Sequence, residues 1–421
     1  MNIIFISEFF PPHLYGGAEI STSLLVSGLK KRHHCTVITS ELENREWVWQ
    51  GVRVIPLLKR HHLAGKNIVD ILGYGLSSII SPLINIVRLR KQLTCQHYDV
   101  INFVETSYSL LPVIVLVSLL RKEKIVVDMR DFTSICVNDL SYVGFREESK
   151  KHNCFRHLQN IHTHPSKLIH PILPLFNLYE VALFEFYKSI FRWFVNRCPK
   201  VYLVALSNYV KQKLVQNGIK PDKISVIPNI SIVASRSSEK VVAEYDFVFA
   251  GRLDYGKGIW DAIKAYEKLN MGDVKFAIAG NGTEYEEIKT YIETRRLSNV
   301  YLLGTLSPDD VIGLYIRSKF IVAPAKRPEP FGRFVQESMT TGTPVIATRS
   351  GGIPEGIDDR ISGFLVRPND LDALTSTMKE AIAMPREELS KMRAAIISKG
   401  NKYSEAVIVE KRVTIYGDRP N

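Results

Sequence analysis

Two stretches in the second half of the chain place charged residues where a turn would aim them at a ligand. In Gly251-Arg252-Leu253-Asp254-Tyr255-Gly256-Lys257-Gly258, glycines and two cations lie between an apolar run at Asp246–Ala250 and a helical pattern at Ile259–Leu269. Glycine lets the backbone turn tightly and approach a ligand. A helix N-terminus favours anions, and Arg252 and Lys257 add two positive charges beside it. That combination suits a diphosphate. The GxxxxGK[ST] pattern of a P-loop is absent.

The second stretch is Pro328-Glu329-Pro330-Phe331-Gly332-Arg333-Phe334-Val335-Gln336-Glu337. It follows an apolar run at Phe320–Ala323 and enters a helix predicted over Arg333–Thr340. Glu329 falls in the loop at the end of the run. Glu337 falls about one turn into the helix, on the side that can face the same site. Two carboxylates held this way accept hydrogen bonds from several sugar hydroxyls, and a carboxylate on a ribose diol is a familiar device of nucleotide folds. A single Glu at a helix start would serve the macrodipole; that explains one of these residues better than both.

The elements that must position these residues alternate between short apolar runs and longer helical patterns. The first half has runs at Asn2–Ser7, Thr36–Thr39, Val52–Leu57, Asp99–Val104, Lys124–Met129, Val201–Leu206 and Ile224–Ile227. The second half adds Lys275–Ala279, Val300–Leu303, Val345–Ala347 and Phe364–Val366 to the two already named. Many are apolar almost continuously, as parallel strands buried on both faces are. The expectation is an α/β chain of two Rossmann-like, doubly wound domains facing a cleft. The Ser-rich, charged stretch Ser231–Ala243 reads as the linker, dividing residues 1–232 from residues 233–403.

Composition narrows the class. The 421 residues are 45% hydrophobic and 23% charged, which excludes a disordered chain, a collagen-like repeat and a polytopic membrane protein. Residues 1–232 hold 28 Lys/Arg against 17 Asp/Glu, and the remainder 27 against 26. All eleven histidines lie between His13 and His170. The basic half would attract an anionic partner. Within it, Leu175–Lys200 interleaves aromatics with Lys188, Arg192, Arg197 and Lys200. Such a segment suits a lipid headgroup layer, and a core-packed amphipathic helix with a solvated basic face fits it equally. Ile68–Val87 is long enough to span a bilayer but holds Asp70, glycines, a proline and serines, so no transmembrane segment is expected. The start Met1-Asn2 has no basic n-region, and no secretory signal is expected. The five cysteines form no CxxC pair and read as reduced thiols. Cys136 and Cys154 stand near His152, His157, His162 and His164, yet lack the paired spacing of a zinc site. Ala279-Gly280-Asn281-Gly282-Thr283-Glu284 has Tyr285 where GxGxxG needs its third glycine, so a nicotinamide site is not expected.

Taken together, several motifs resemble the retaining GT-B glycosyltransferases of family 4. They are Gly16-Gly17-Ala18-Glu19, Val226-Ile227-Pro228-Asn229, Gly251-Arg252…Lys257-Gly258, Ala279-Gly280-Asn281-Gly282, the Glu329 and Glu337 pair, Thr343-Pro344-Val345-Ile346-Ala347 and Gly351-Gly352-Ile353-Pro354-Glu355. The resemblance runs from residue 2 to about residue 404. It implies that Arg252 and Lys257 hold the donor diphosphate and stabilise its departure, and that Glu337 binds the ribose. Glu329 would contact the donor sugar, with the amides of Phe331 and Gly332 at sugar and phosphate. Gly16 and Gly17 would close over the phosphate, and Asn281 would line the donor site. It also implies no metal and no cofactor, and a tail of about residues 404–421 that returns to the first domain.

One departure stands out. Many relatives carry a His-Asp pair after the strand at Lys124–Met129; this chain has Arg130-Asp131. Arg130, permanently charged, cannot act as a base. It could hold an anionic acceptor or pair with Asp131. The function expected is transfer of a sugar from a UDP- or GDP-sugar to a glycan or lipid-linked glycan, by an enzyme peripheral to the cytoplasmic face of a membrane and binding no nucleic acid. The alternatives are a soluble sugar acceptor and a non-catalytic sugar-nucleotide-binding subunit.

Overall fold

The computed structural model describes residues 1–12, 17–40, 43, 45–59, 68–104, 110–130, 173–231 and 243–417. They divide into two compact units. One is Met1–Pro228 with Val409–Asn421, the other Asn229–Ile408. Of the stretch read as a linker, residues 232–242 lie outside the described residues. Ser231 belongs to the second unit already: it is buried there and donates its hydroxyl to the Gln336 carbonyl.

The first unit carries β1 (Asn2–Ile6), β2 (His34–Ser40), β3 (Trp47–Trp49), β4 (Val52–Leu58), β5 (Val100–Phe103), β6 (Lys124–Met129), β7 (Val201–Ala205) and β8 (Ile224–Val226). Their order is β3-β4-β2-β1-β5-β6-β7-β8. All pairs are parallel except β3 with β4. The second unit carries β9 (Tyr245–Ala250), β10 (Phe276–Ala279), β11 (Val300–Gly304), β12 (Ser318–Ala323), β13 (Val345–Thr348) and β14 (Gly363–Val366), in the order β11-β10-β9-β12-β13-β14, parallel throughout. Renumbered from its own first strand, that is the Rossmann order 3-2-1-4-5-6.

Every run expected as a strand is one, within two residues at either end. The edge strand Trp47–Trp49 was not foreseen. It is a three-residue antiparallel edge strand with Val48 exposed and Trp47 and Trp49 only half-buried, so it is not the doubly buried parallel run that marks the others. The central strands show why they fold as they do: Ile3 to Ile6, the β-branched trio Ile125, Val126 and Val127, and Phe247 and Val248 are all fully buried. Each such side chain taken from water stabilises by roughly 1.5–3 kcal/mol, which requires helices on both faces of the sheet.

Candidate functional site

In the second sheet β9 and β12 are neighbours from which the strand order departs in opposite directions. Ligands of doubly wound sheets sit beyond the carboxyl ends at such a point. The loops leaving β9 and β12 hold both stretches that the sequence singled out.

The loop after β9 is fixed by backbone contacts. Gly251 N–H donates to the Ala279 carbonyl at 3.0 Å, and Leu253 N–H to that of Asn281 at 2.9 Å, tying it to the loop after β10. Gly280 has φ 138°, and a Cβ there would lie 1.8 Å from the Gly251 oxygen, so glycine is required for this approach. Asp254 then caps a short 3-10 turn, Tyr255–Lys257, its carboxylate accepting the Lys257 N–H at 3.1 Å. Gly258 turns left-handed at φ 74° with its α-carbon against the Pro324 carbonyl, which follows β12, and the helix Ile259–Leu269 begins.

This geometry delivers the Lys257 ammonium to Glu329, with Nζ 2.6 Å from Oε1. The Glu329 backbone is itself clamped: its carbonyl accepts from Gly352 N–H at 2.7 Å, and Gly351, at φ 64°, lies too close to it for any side chain. Arg252 is more open, with 58% of its side chain exposed and Nε 3.6 Å from Asp254. Two further cations come from the loop after β12. Arg327 lies 3.5 Å from Asp254 and its guanidinium crosses Gly256, where a Cβ would sit 2.0 Å from Nε. Lys326 pairs with Asp261 at 2.9 Å and stacks 4.6 Å from the Tyr255 ring centre. The arrangement is a set of four cations around the start of a helix, neutralised in part by Asp254, Asp261 and Glu329. It can bind a polyanion and, through Glu329, a hydroxylated group beside it.

The remaining expected residues divide. Phe331 is buried, its ring 5.4 Å from that of Tyr403. Gly332, at φ 88°, starts the helix Arg333–Thr341. Glu337 lies on that helix, but Arg333 holds its Oε1 at 2.6 Å. It also lies beside the fully buried Tyr315 hydroxyl, whose pKa burial first and Glu337 second push well above the usual phenol value. Asn281 is exposed, and its side-chain oxygen accepts from Gly282 N–H at 2.7 Å.

In the first unit Gly17 opens the helix Gly17–Leu29, while Gly16 and Asp131 lie outside the described residues. The cysteines and histidines weighed for zinc, from Cys136 to His164, lie outside them too. Arg130 is 8% exposed and turned inward: it lies 3.3 Å from Asp128 and donates to the Ala18 carbonyl at 3.0 Å. Among the described residues, the carboxylate it meets is Asp128 of β6. Asp128 is wholly buried and also meets Arg412 at 2.5 Å, from the helix Glu405–Gly417. Tyr416 of the same helix donates to Asn102 Oδ1 at 2.7 Å. Among the described residues no group of three or more His, Cys, Asp or Glu is placed to hold a metal.

Sequence reasoning missed Asp254, Lys326 and Arg327. Asp254 had a signal: Asp three residues before the amide it accepts is an N-cap pattern. Lys326-Arg327 directly follows β12 and precedes Glu329, a basic pair at the same strand end as the carboxylate.

Two Rossmann-like units in one chain, with a cation-lined strand-to-helix turn in the second, define a GT-B fold. The solved structure of HepE from Anabaena in complex with UDP has this architecture at TM-score 0.69 and 18% identity, covering 98% of this chain and 99% of that one. Residues 233–403 match the family model described as glycosyl transferases group 1, and the chain carries a domain of that family. An uncharacterized 42.6 kDa protein in the cps region of Klebsiella pneumoniae is 28% identical over 84% of this chain and 87% of its own. An uncharacterized glycosyltransferase of Methanocaldococcus jannaschii is 30% identical over 54% of this chain, a match that spans 60% of the archaeal protein.

Proposed function

We propose that the chain is a retaining glycosyltransferase that moves a sugar from a UDP- or GDP-sugar to a glycan or lipid-linked glycan of the cell surface, without a metal. The observation that carries this reading is the Lys257–Glu329 contact at the strand ends of β9 and β12. It joins a cation suited to a leaving diphosphate to a carboxylate suited to sugar hydroxyls. The UDP in the HepE structure supports a nucleotide donor, and the Klebsiella relative in a cps region supports a surface glycan.

In this reading Arg252 and Lys257 bind the diphosphate, and their charge stabilises it as the bond to the anomeric carbon breaks. Preorganised cations at a developing anion commonly supply two to three orders of magnitude, roughly 2.7–4 kcal/mol, for one group. Glu329 positions the sugar, with the amides of Phe331 and Gly332 beside it. Glu337 takes the ribose diol: a carboxylate has about four lone-pair sites, so Arg333 leaves acceptors for it. The acceptor hydroxyl attacks from the face the phosphate leaves, and its proton passes to the departing phosphate oxygen. No histidine occurs after His170 to compete for that proton.

Arg130 favours a second reading. It stands where many relatives of the resembled family carry a His, and it is buried against Asp128; a sugar-nucleotide-binding subunit without transfer would need no such His. One experiment separates the two: nucleoside diphosphate release from a panel of UDP-, GDP- and ADP-sugars, with and without a membrane lipid extract, and NMR of the product anomer. Extract-stimulated release with retained configuration is expected. Donor binding without turnover on any acceptor would sink the transferase reading.

A further inference from the structure

Three helices of the first unit connect β4 to β5, β5 to β6 and β6 to β7: Ile68–Cys95, Leu111–Leu120 and Leu173–Arg197. These crossovers step the same way along the parallel sheet, so right-handed connections put all three on one face. They pack side by side with Leu111–Leu120 in the middle. Each runs antiparallel to the strands, so all three end at the same edge.

Each helix shows the same outward sequence. On the first, Ile80, Leu83 and Val87 are exposed at helical spacing, and exposed Arg90 and Lys91 follow. On the second, Leu116, Leu119 and Leu120 are exposed, and Arg121 and exposed Lys122 follow. On the third, Phe186, Ile190 and Trp193 are exposed, and Arg197 follows, its guanidinium 4.7 Å from the Trp193 ring centre. The exposure is large: 69% for Val87, 62% for Leu119 and 56% for Trp193. Scattered exposed apolar residues are ordinary, but adjacent stripes on three packed helices make a patch that marks an interaction surface. Cations at helix C-termini serve the macrodipole. That does not account for the apolar stripe preceding them three times.

We propose that this face seats on an anionic bilayer, its leucines and aromatics in the acyl boundary and its basic edge at the headgroups. Charge selects this occupant. A second copy packed on the same face would oppose basic edges, in a half of the chain with 28 Lys/Arg against 17 Asp/Glu. An anionic surface complements them, by roughly a fivefold gain in binding per Lys or Arg near it. No helix of the described residues is long and apolar enough to cross a membrane, and this mode of attachment needs none. The proposal deepens the lipid-linked acceptor reading, but its test uses no transfer.

The full chain would be floated with phosphatidylcholine vesicles, with and without phosphatidylglycerol, at low and high salt. Binding to the anionic vesicles that weakens with salt is expected. The triple variant R90Q/K91Q/K122Q should bind about a hundredfold more weakly. Brominated phosphatidylglycerol should quench tryptophan fluorescence in the wild type, and Trp193→Phe should remove most of that quenching. Thermal melts confirm that the variants fold. Failure to float with anionic vesicles overturns the proposal, as does binding that the triple variant leaves unchanged. So does a stable dimer in solution that F186S/W193S dissociates. Vesicle binding without donor turnover would leave the face standing and defeat the transferase reading; turnover without vesicle binding would do the reverse.

Discussion

The Lys257 ammonium rests 2.6 Å from the Glu329 carboxylate across two loops that leave neighbouring strands of one sheet. The lysine side chain is 29% exposed and the glutamate 12%, so the pair is only partly shielded from water. A donor phosphate arriving beside Lys257 would share an ammonium with three N–H donors rather than break a fully desolvated pair. In the proposed function, Glu329 therefore holds the lysine in place before a donor arrives.

Asp254 positions that lysine. Its carboxylate accepts the Lys257 N–H and faces both Arg252 and Arg327. Asp254→Ala should lower stability by about 1 kcal/mol, the ordinary loss for a cap. It should lower donor kcat/KM by about tenfold as the 3-10 turn loosens, an estimate on the scale of that same energy. Asp254→Asn caps equally well and should restore most of both. Kinetics and melts of the two variants check this; an Asn variant as impaired as the Ala variant would assign the effect to the ion pairs.

Glu284, at the start of the helix Tyr285–Thr294, has its carboxyl pKa raised from 4.5. Burial is the largest cause, followed by Asp254 and Glu287, and Lys326 opposes them. A raised acid favours the folded state while protonated, so its contribution falls as pH rises from 4.5 through the raised value. Glu284→Gln should raise the melting temperature at neutral pH, with the gain shrinking toward about pH 4. A gain independent of pH would contradict the assignment.

The buried cluster in the first unit makes a different demand. Asp128 is wholly buried between Arg412 and Arg130. Arg412→Met removes one partner of a buried pair and should cost about 3–5 kcal/mol in urea unfolding followed by tryptophan fluorescence. D128N/R412M should lose clearly less than the two single losses added. Additive losses would show that the contact is not coupled.

A substitution at Gly280 tests the loop geometry. At φ 138° and with a Cβ aimed 1.8 Å from the Gly251 oxygen, Gly280→Ala forces two backbones apart. Donor affinity should drop at least tenfold while the first unit keeps its melting transition, since strained glycine positions cost on the order of 1–3 kcal/mol. Calorimetry with UDP checks it; unchanged affinity would mean the β9 and β10 loops do not share the site.

The sheets were legible because buried parallel strands carry continuous apolar runs: Ile3 to Ile6 and Phe247 to Ala250 announce themselves. Trp47–Trp49 did not, since an exposed three-residue edge strand owes its pairing to β4 rather than to its own pattern. Arg252 and Lys257 stood out by residue type beside glycine, and Glu329 by its place in the loop after β12. Their partners did not. Arg327 reaches Asp254 across 73 positions, and Arg412 reaches Asp128 across 284. Such pairings come from strand order, which single residues do not encode. Arg130 shows the same: Asp128, two residues back on β6, meets its charge among the described residues, a contact its sequence neighbourhood did not announce.

In the proposed function Lys257 stabilises a departing diphosphate. The most direct test is donor turnover by Lys257→Ala and Lys257→Met, beside the wild type, with the donor and acceptor that the sugar-nucleotide panel identifies. A fall in kcat of about a hundred- to a thousandfold is expected, with melting temperatures preserved. Near-normal turnover in both variants would contradict it.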